Sequence, residues 1–217
     1  MPKARNVRYL PPAILQEVCS VHPDDPRMVV RDRVMAVNPA DDKEAADQAA
    51  ILGWIDSGTP LFRTVKPAVP PKHLAVYFAL VDDDARCVML VDHRKAQAWL
   101  LPGGHVDDGE DPRWSVEREA FEELQITPKF HERLGGGQPL FLSITQTRGT
   151  DTHTDVTLWF VLKGDSTAEV RPDPREFSEV RWYALDDQTD WSASCFDPHM
   201  ERFMMKLRSA LGGPCRG

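Results

Sequence analysis

The chain has 217 residues, of which 41% are hydrophobic and 28% are charged, so it is neither a collagen-like nor a largely disordered protein. Its 26 basic and 34 acidic side chains give a net charge of −8, which disfavours broad nucleic-acid binding because such a surface repels phosphate backbones. The longest apolar stretches are only strand-sized and no signal peptide is evident, so we expect no membrane span and a cytoplasmic location.

The first 70 residues predict a mainly helical extension with a proline-rich connector. A short apolar-periodic run covers residues 13–18, and a longer helix is predicted from Ala40 or Asp41 to about Ile55. Four prolines in residues 59–72 indicate a rigid connector. Three roles stay open for this extension: a dimer interface, a wall of a substrate pocket, or a helical cap on the domain that follows.

From residue 71 to the end, the pattern predicts one domain of strands and helices. The predicted strands cover residues 74–81, 87–91, 99–101, 140–145, 156–162 and 180–183. The predicted helices cover 111–124 and 198–211, and Pro102-Gly103-Gly104 is predicted to be a loop. Because strands and helices mix without regular alternation, we expect an α/β sandwich with a mixed sheet rather than a doubly wound fold.

The helix predicted at 111–124 carries an unusual concentration of carboxylates. Glu119 lies three residues before Glu122 and four before Glu123, and like charges at these spacings weaken a helix by a few tenths of a kcal/mol each. Arg118 offsets part of this repulsion. Hard divalent cations take such oxygen ligands, and the preceding glycines allow backbone groups to approach a cation or phosphate. The pattern indicates metal-assisted phosphate chemistry, with a solvated acidic helix face as the alternative.

Residues 101–126 resemble the sequence motif of the Nudix hydrolase family. In that motif a glycine, five residues, a glutamate and seven residues precede R-E-U-x-E-E-x-G-U, where U is a bulky aliphatic residue. The matching positions are Gly104, Glu110, Arg118, Glu119, Glu122, Glu123 and Ile126. Two positions depart from it. Ala120 is expected to be a packing variation, whereas Gln125 replaces the glycine that permits a left-handed helix end.

The resemblance implies a Nudix-type α/β/α sandwich that hydrolyses a nucleoside diphosphate derivative by attack of water on phosphorus. Nucleoside triphosphates and ADP-ribose or nucleotide-sugar compounds both remain open as substrates. It also implies Mg²⁺, with Mn²⁺ as a substitute. The implied ligands are the Gly103 carbonyl and the carboxylates of Glu119, Glu122 and Glu123, and Glu119 or Glu123 would also orient water. Arg118 would hold the carboxylates in position and pair with Glu110.

Several further residues are candidates for substrate contacts. They are Arg94, Gly104, His105, His153, Asp155, Glu176 and Glu179. Glu176 and Glu179 are also candidates for the general base, because they lie in a loop before a strand. For each of these residues except the motif glycine, the alternative is a structural or merely solvent-exposed role.

Two other functions are compatible with the same fold. One is a nucleotide-sensing domain without turnover, although such domains commonly lose the motif glutamates that this chain keeps. The other is an isomerase of isoprenyl diphosphates, for which Cys87 is the one cysteine in a suitable strand. In every case the expected partner is a small-molecule nucleotide or diphosphate rather than nucleic acid or a membrane, and a homodimer stays open.

Overall fold

The computed structural model describes residues 25–66, 68–147 and 152–212. Its helices are α1 (Pro26–Met35), α2 (Asp42–Asp56), α3 (Pro112–Leu124) and α4 (Met200–Ala210). Its strands are β1 (Lys72–Asp82), β2 (Cys87–His93), β3 (Ala98–Leu100), β4 (Gly103–His105), β5 (Phe141–Gln146), β6 (Thr154–Lys163) and β7 (Phe177–Ala184). The apolar run predicted at 13–18 lies outside the described residues. Within those residues, no helix combines the length and apolar character needed to cross a bilayer.

The strands form one seven-stranded mixed sheet. The long strand β1 lies in its middle and pairs in parallel with β6, which in turn pairs antiparallel with β5. On its other side, β1 pairs with β4 near its middle and with β2 at its end, both antiparallel. Strands β3 and β7 both pair with β2. This arrangement confirms the predicted α/β class and its mixed sheet.

Two hydrophobic cores cover the two faces of the sheet, because alternate residues of a strand point to opposite faces. One core joins Val76 of β1 to buried residues of α1, α2 and α3. The other joins Trp159 of β6 to Phe203 of α4, whose ring centroids are 4.9 Å apart. The sheet is therefore enclosed between helices on both sides, which gives the expected three-layer sandwich.

Helix α1 was not predicted from the sequence. It begins with Pro26 directly after Asp25, whose carboxylate accepts a hydrogen bond from the Arg27 amide at 3.0 Å. Proline at a first helical position after a capping aspartate is a recognised start signal, so this helix had a local signal. Its residues Val30 and Val34 are fully buried against the sheet.

Helix α2 is joined to α4 by buried and half-buried ion pairs. The fully buried Glu44 accepts a hydrogen bond from Lys206 at 2.7 Å and another from the Ala40 amide at 2.7 Å. Asp41 caps α2 and pairs with Arg202 at 2.7 Å. A buried carboxylate is costly without a partner, so these contacts hold α2 firmly against α4.

The division of the chain after residue 70 stays a prediction.

The glycine loop contains a short strand that the sequence did not predict. Strand β4 pairs Gly103 with Tyr77 and Gly104 with Val76. Glycine has low strand propensity, so nothing local indicates a strand here, and the pairing depends on the distant strand β1. Consequently the glycines have a fixed position at the centre of the sheet.

The end of α3 keeps a left-handed conformation although it lacks the motif glycine. Gln125 adopts φ 55° and ψ 37°, and the Ile126 amide donates to the Ala120 carbonyl at 3.3 Å. Gln125 therefore adopts the left-handed conformation that the motif glycine would permit, although it is not a glycine. A residue with a Cβ is strained here by about 1 kcal/mol.

Substituting Gln125→Gly should relieve that strain. We expect the free energy of unfolding to rise by about 0.5 kcal/mol, since the gain is partly offset by the greater freedom of glycine in the unfolded chain. Urea denaturation of both proteins measures the difference, with Gln125→Ala as a variant that should show no gain. A loss of stability in the glycine variant would mean that the glutamine side chain makes a stabilising contact.

Candidate active site

The carboxylates of α3 lie at the edge of the buried helix face. Val116, Ala120 and Leu124 are fully buried against the sheet, and they fix the rotation of the helix. Because residues three and four apart lie on the same side of a helix, Glu119 and Glu123 then face the glycine strand β4. The helix packs against both β4 and β1 at this point.

Glu123 is the most buried of the acidic residues in α3. Its side chain is 4% exposed, and its Oε2 accepts a hydrogen bond from the Gly103 amide at 2.8 Å. Burial raises the pKa of Glu123 to about 9, and the neighbouring charges of Glu119 and Glu176 raise it as well. A nearby cation would strongly stabilise the charged form of a carboxylate in these surroundings.

Glu119 is nearly as enclosed and lies directly over the second glycine. Its Oε1 is 2.5 Å from the Nη1 atom of Arg118. Burial raises the pKa of Glu119 despite the opposing charge of Arg118. A Cβ atom added to Gly104 would overlap the Glu119 carboxylate, so any residue other than glycine would displace that carboxylate.

Arg118 connects the acidic residues to the loop that precedes α3. Its Nε and Nη2 atoms donate to the two carboxylate oxygens of Glu110 at 3.1 and 3.0 Å, and Nη2 also donates to the His105 carbonyl at 3.1 Å. Ser115 donates a further hydrogen bond to Glu110 at 2.7 Å. Burial opposes the charge of Arg118, but Glu110 and Glu119 outweigh it and raise the pKa of the guanidinium. Arg118 is therefore a fixed cation with a fixed orientation.

Glu122 completes the acidic group at its outer edge. Its side chain is 34% exposed, and Oε2 lies 3.9 Å from Nη1 of Arg118. The group formed by Glu110, Glu119, Glu122, Glu123 and Arg118, here called the carboxylate cluster, carries more acidic than basic groups. Its donors are hard oxygens, two of them with raised pKa values, and this combination fits the Mg²⁺ ion that the motif implies.

Arg94, one of the candidate substrate contacts, is instead bound to a neighbouring loop. Its Nε donates to the carbonyls of Pro174 and Phe177 at 3.0 and 3.1 Å, and its amide donates to the Glu176 carbonyl at 2.9 Å. The Asp173 amide also donates to the carbonyl of Glu123 in α3. Arg94 thus helps to fix the loop that carries Glu176.

The two candidate general bases have different surroundings. The charge of Glu176 raises the pKa of both Glu119 and Glu123, so Glu176 faces the carboxylate cluster. Glu179 lies on β7, is exposed, and pairs with Arg181 at 2.7 Å. The structure therefore brings Glu176, rather than Glu179, into electrostatic contact with the cluster.

Three of the candidate residues meet a fourth that the sequence did not single out. His105, His153 and Asp155 lie together with His73, whose side chain is fully buried. The four donor atoms all lie within 4.8 Å of one another. Burial lowers the pKa of His73, which favours its neutral form. We call this group the histidine cluster.

Arg63 is a further residue that the sequence did not indicate. It lies in the proline-rich connector and is half-buried, and the negative charges of Asp155, Asp107 and Glu119 favour its charged form. Burial lowers its pKa. Among the described residues it has no ion pair within 4.0 Å. The connector thus places a cation within electrostatic reach of Asp155 in the histidine cluster and Glu119 in the carboxylate cluster, and no local sequence signal marks that position.

The chain matches the model of a known protein family. The family model of the NUDIX domain matches residues 71–207. A fusion protein of Bifidobacterium longum strain NCC 2705, described as a nucleoside triphosphate pyrophosphatase/Nudix hydrolase, is 30% identical over 118 residues. The match covers 48% of this chain but 23% of that protein, so the chain corresponds to less than a quarter of the relative's length.

Solved structures also resemble the chain. A NUDIX-family hydrolase of Clostridium perfringens matches with a TM-score of 0.47 and 22% identity, covering 64% of this chain and 95% of that one. The NUDIX domain of Shewanella oneidensis NrtR, solved with ADP ribose, matches with a TM-score of 0.48 and 21% identity, covering 64% and 88%. An Ap4A hydrolase of C. elegans matches with a TM-score of 0.48 and 19% identity, covering 64% and 96%.

Proposed function

Because the chain belongs to the Nudix family, we propose that it is a Mg²⁺-dependent hydrolase that cleaves the diphosphate linkage of a nucleoside diphosphate derivative. The observation that carries this proposal is the carboxylate cluster. Glu119 and Glu123 are largely buried beside Gly103 and Gly104, and burial together with the neighbouring carboxylates raises their pKa values, so a positive charge placed beside them would stabilise their charged forms. A divalent cation would supply positive charge to the cluster and would at the same time bind the negatively charged phosphate groups of a substrate.

In the proposed reaction the residues of the cluster have separate tasks. Glu119, Glu122, Glu123 and the Gly103 carbonyl would hold Mg²⁺, which when bound neutralises the diphosphate and lowers the pKa of bound water. Arg118 fixes the positions of Glu110 and Glu119 through its hydrogen bonds. A carboxylate has about four lone-pair sites, so Glu123 could hold Mg²⁺ and also accept a proton. Oε2 of Glu123 already accepts a hydrogen bond from the Gly103 amide, so we assign Oε1 as the atom that accepts the proton of the attacking water.

Glu176 and Arg63 would have different roles: Glu176 would tune the basicity of Glu123, and Arg63 would bind phosphate. Glu176 faces Glu119 and Glu123, and its negative charge raises the pKa of Glu123, so the Glu123 carboxylate would be a stronger proton acceptor once bound Mg²⁺ favours its charged form. Arg63 is a cation without an ion-pair partner among the described residues, and a phosphate oxygen would supply one. We therefore propose that Arg63 binds the phosphate group that does not react.

Substituting Arg63→Gln should weaken substrate binding. We expect KM to rise about 10- to 100-fold with kcat changed less than about threefold, because a charge-assisted hydrogen bond contributes about 1.5–3 kcal/mol in both ground and transition states. Arg63→Lys should give an intermediate KM, and Arg86→Gln, which removes an arginine paired with Asp186, is the control. An unchanged KM in Arg63→Gln would exclude Arg63 from the substrate site.

A hydrolysis screen tests the proposed activity and selects the substrate. Nucleoside triphosphates, ADP-ribose, nucleotide sugars and dinucleoside polyphosphates are incubated with and without Mg²⁺, and products are assigned by ³¹P NMR. We expect metal-dependent release of a nucleoside monophosphate, and its loss in Glu123→Gln. Metal-dependent binding of one nucleotide without turnover would instead establish the sensing function.

The position of Cys87 argues against the isomerase. Cys87 pairs with Asp82 at the end of β1, whereas Gly104 pairs with Val76 near its middle. Six strand residues separate these positions, which corresponds to about 20 Å. Cys87 is also buried, and burial raises its pKa, so its thiol is neither near the carboxylate cluster nor activated.

The remaining expectations about surroundings and partners stay proposals. We propose a cytoplasmic protein whose partner is a small nucleotide rather than nucleic acid. The homodimer that the sequence leaves open is tested by analytical ultracentrifugation of the full chain, in which sedimentation as a monomer would exclude it.

A further inference from the structure

The histidine cluster is formed by three neighbouring strands of the sheet. His73 of β1 lies beside Asp155 of β6 in register, and His105 of β4 lies opposite Ala75, two residues after His73. His153 lies two residues before Asp155 along the same chain segment. Because residues two apart share one face of a strand, the pairing directs all four side chains to the same side of the sheet.

The buried histidine fixes where its proton resides. Nδ1 of His73 lies 2.7 Å from the Pro70 carbonyl, which can only accept a hydrogen bond, so Nδ1 carries the proton. In the neutral ring, Nε2 is then a lone pair directed at Oδ1 of Asp155, 3.4 Å away. Neither atom has a hydrogen-bond partner among the described residues, and the same is true of Nε2 of His105. Two buried acceptors that face each other need a shared proton or a metal ion between them.

The distances from the Asp155 carboxylate to the three imidazoles fit the edges of a tetrahedral metal site. Oδ1 of Asp155 lies 3.4, 3.5 and 3.3 Å from the Nε2 atoms of His73, His105 and His153. Charge-assisted hydrogen bonds are shorter, at about 2.7–2.9 Å. A tetrahedron built with zinc–nitrogen and zinc–oxygen bonds of about 2.0–2.15 Å has edges of about 3.3–3.5 Å. These three oxygen–nitrogen separations match ligand-to-ligand distances better than hydrogen bonds. Separations among the four donor atoms reach up to 4.8 Å, so the imidazoles must turn toward the ion to complete the tetrahedron.

The hydrogen bonds to the outer nitrogen atoms of the histidines are also those expected around a metal site. The Nδ1 atom of His73 is held by a backbone carbonyl, and Nδ1 of His153 lies 3.2 Å from the Thr147 hydroxyl. Such outer contacts orient imidazole ligands and fix which nitrogen is free for the metal. Three neutral imidazoles and one carboxylate carry a net charge of about −1, which a divalent ion changes to about +1.

We propose that His73, His105, His153 and Asp155 form a second metal site that takes a divalent transition metal of the zinc type. Three imidazoles and one carboxylate prefer Zn²⁺ to Mg²⁺, since Mg²⁺ favours oxygen ligands. Four protein ligands close the coordination shell, which is the pattern of structural zinc. The ion joins β1, β4 and β6, and so fixes the strand whose His105 carbonyl accepts a hydrogen bond from Arg118.

The proposed ion is separate from the Mg²⁺ of the carboxylate cluster, and the two sites are tested independently. The full chain is purified without a histidine tag, stripped with a chelator, and titrated with Zn²⁺ in excess Mg²⁺. We expect about one Zn²⁺ per chain in the unaltered protein and in Glu123→Gln. His153→Gln and Asp155→Asn, both at partly exposed positions, should weaken Zn²⁺ binding at least about 100-fold. His199→Gln, outside the cluster, is the matched control and should bind normally.

Spectroscopy and stability provide readouts other than activity. With Co²⁺ in place of Zn²⁺, the unaltered protein should show the visible absorption of a tetrahedral ion, and Asp155→Asn should lose it. Zn²⁺ should raise the melting temperature of the unaltered protein but not that of Asp155→Asn. The proposal is overturned if no Zn²⁺ binds in excess Mg²⁺, or if binding survives Asp155→Asn and His153→Gln. It is equally overturned if Glu123→Gln abolishes the Zn²⁺ site, because the ion would then belong to the carboxylate cluster.

Discussion

Replacing Glu123 with glutamine should lower turnover by about 100- to 1000-fold and raise the stability of the metal-free protein by about 1–3 kcal/mol. Turnover falls because a neutral amide cannot take the water proton and is a weak metal ligand. Stability rises because burial and the charges of Glu119 and Glu176 disfavour the Glu123 carboxylate. The amide oxygen of glutamine can still accept the Gly103 hydrogen bond.

The pH dependence of stability follows from the same shift. The pKa of Glu123 rises from an ordinary 4.5 to about 9 on folding, so the folded protein holds a proton that the unfolded chain releases. Between these two values the folded state binds more protons, and the stability of the metal-free protein falls as the pH rises. Without this group, Glu123→Gln should lose less stability from about pH 6 to about pH 9.

Two measurements check the Glu123 prediction. Urea denaturation in the presence of a chelator gives the free energy of unfolding at each pH, and steady-state rates with the substrate identified by the screen give turnover. Glu132→Gln, which removes an exposed glutamate away from the cluster, should change neither quantity by more than about 0.5 kcal/mol. A glutamine variant that is less stable than the parent at pH 8 would show that the Glu123 carboxylate is not disfavoured in the fold.

The sequence predicts most of the regular structure because its signals are local. The apolar run that becomes β1 and the capped helix that becomes α3 have periodic patterns, and both lie within a few residues of the predicted bounds. Helix α1 was not predicted although Asp25 and Pro26 mark its start, because its ten residues are too few to establish a clear helical period. Strand β4 could not be found locally, since two glycines form a strand only where β1 supplies the pairing.

The candidate site shows the same limit. The carboxylates of α3 follow from the spacing of one continuous motif. The histidine cluster depends on sheet register, because His73 and Asp155 are 82 positions apart and meet only when β1 and β6 pair in parallel. His105, His153 and Asp155 were singled out separately, and nothing in the sequence indicated that His73 joins them. Arg63 reaches the site through the path of the connector, which a run of prolines does not specify.

The glycine strand itself should tolerate almost no change. Gly103 has φ 153°, and a Cβ there would overlap the Val76 carbonyl oxygen and lie 2.9 Å from the Tyr77 Cα. Both neighbours are backbone atoms in the middle of the sheet and cannot move aside. We therefore expect Gly103→Ala to destabilise the protein by about 3–5 kcal/mol, because β4 must separate from β1.

Two other glycines are matched controls for this effect. A Cβ on Gly104 meets only the end of the Glu119 side chain, so Gly104→Ala should cost about 1 kcal/mol in stability but displace a proposed metal ligand and abolish turnover. Gly53 lies exposed within α2 with no atom within 4 Å of an added Cβ, so Gly53→Ala should stabilise by about 0.5–1 kcal/mol. Urea denaturation and activity measured on all three variants separate the fold from the chemistry. If Gly103→Ala were as stable as Gly104→Ala, the pairing of β4 with β1 could not be what holds the carboxylate cluster in place.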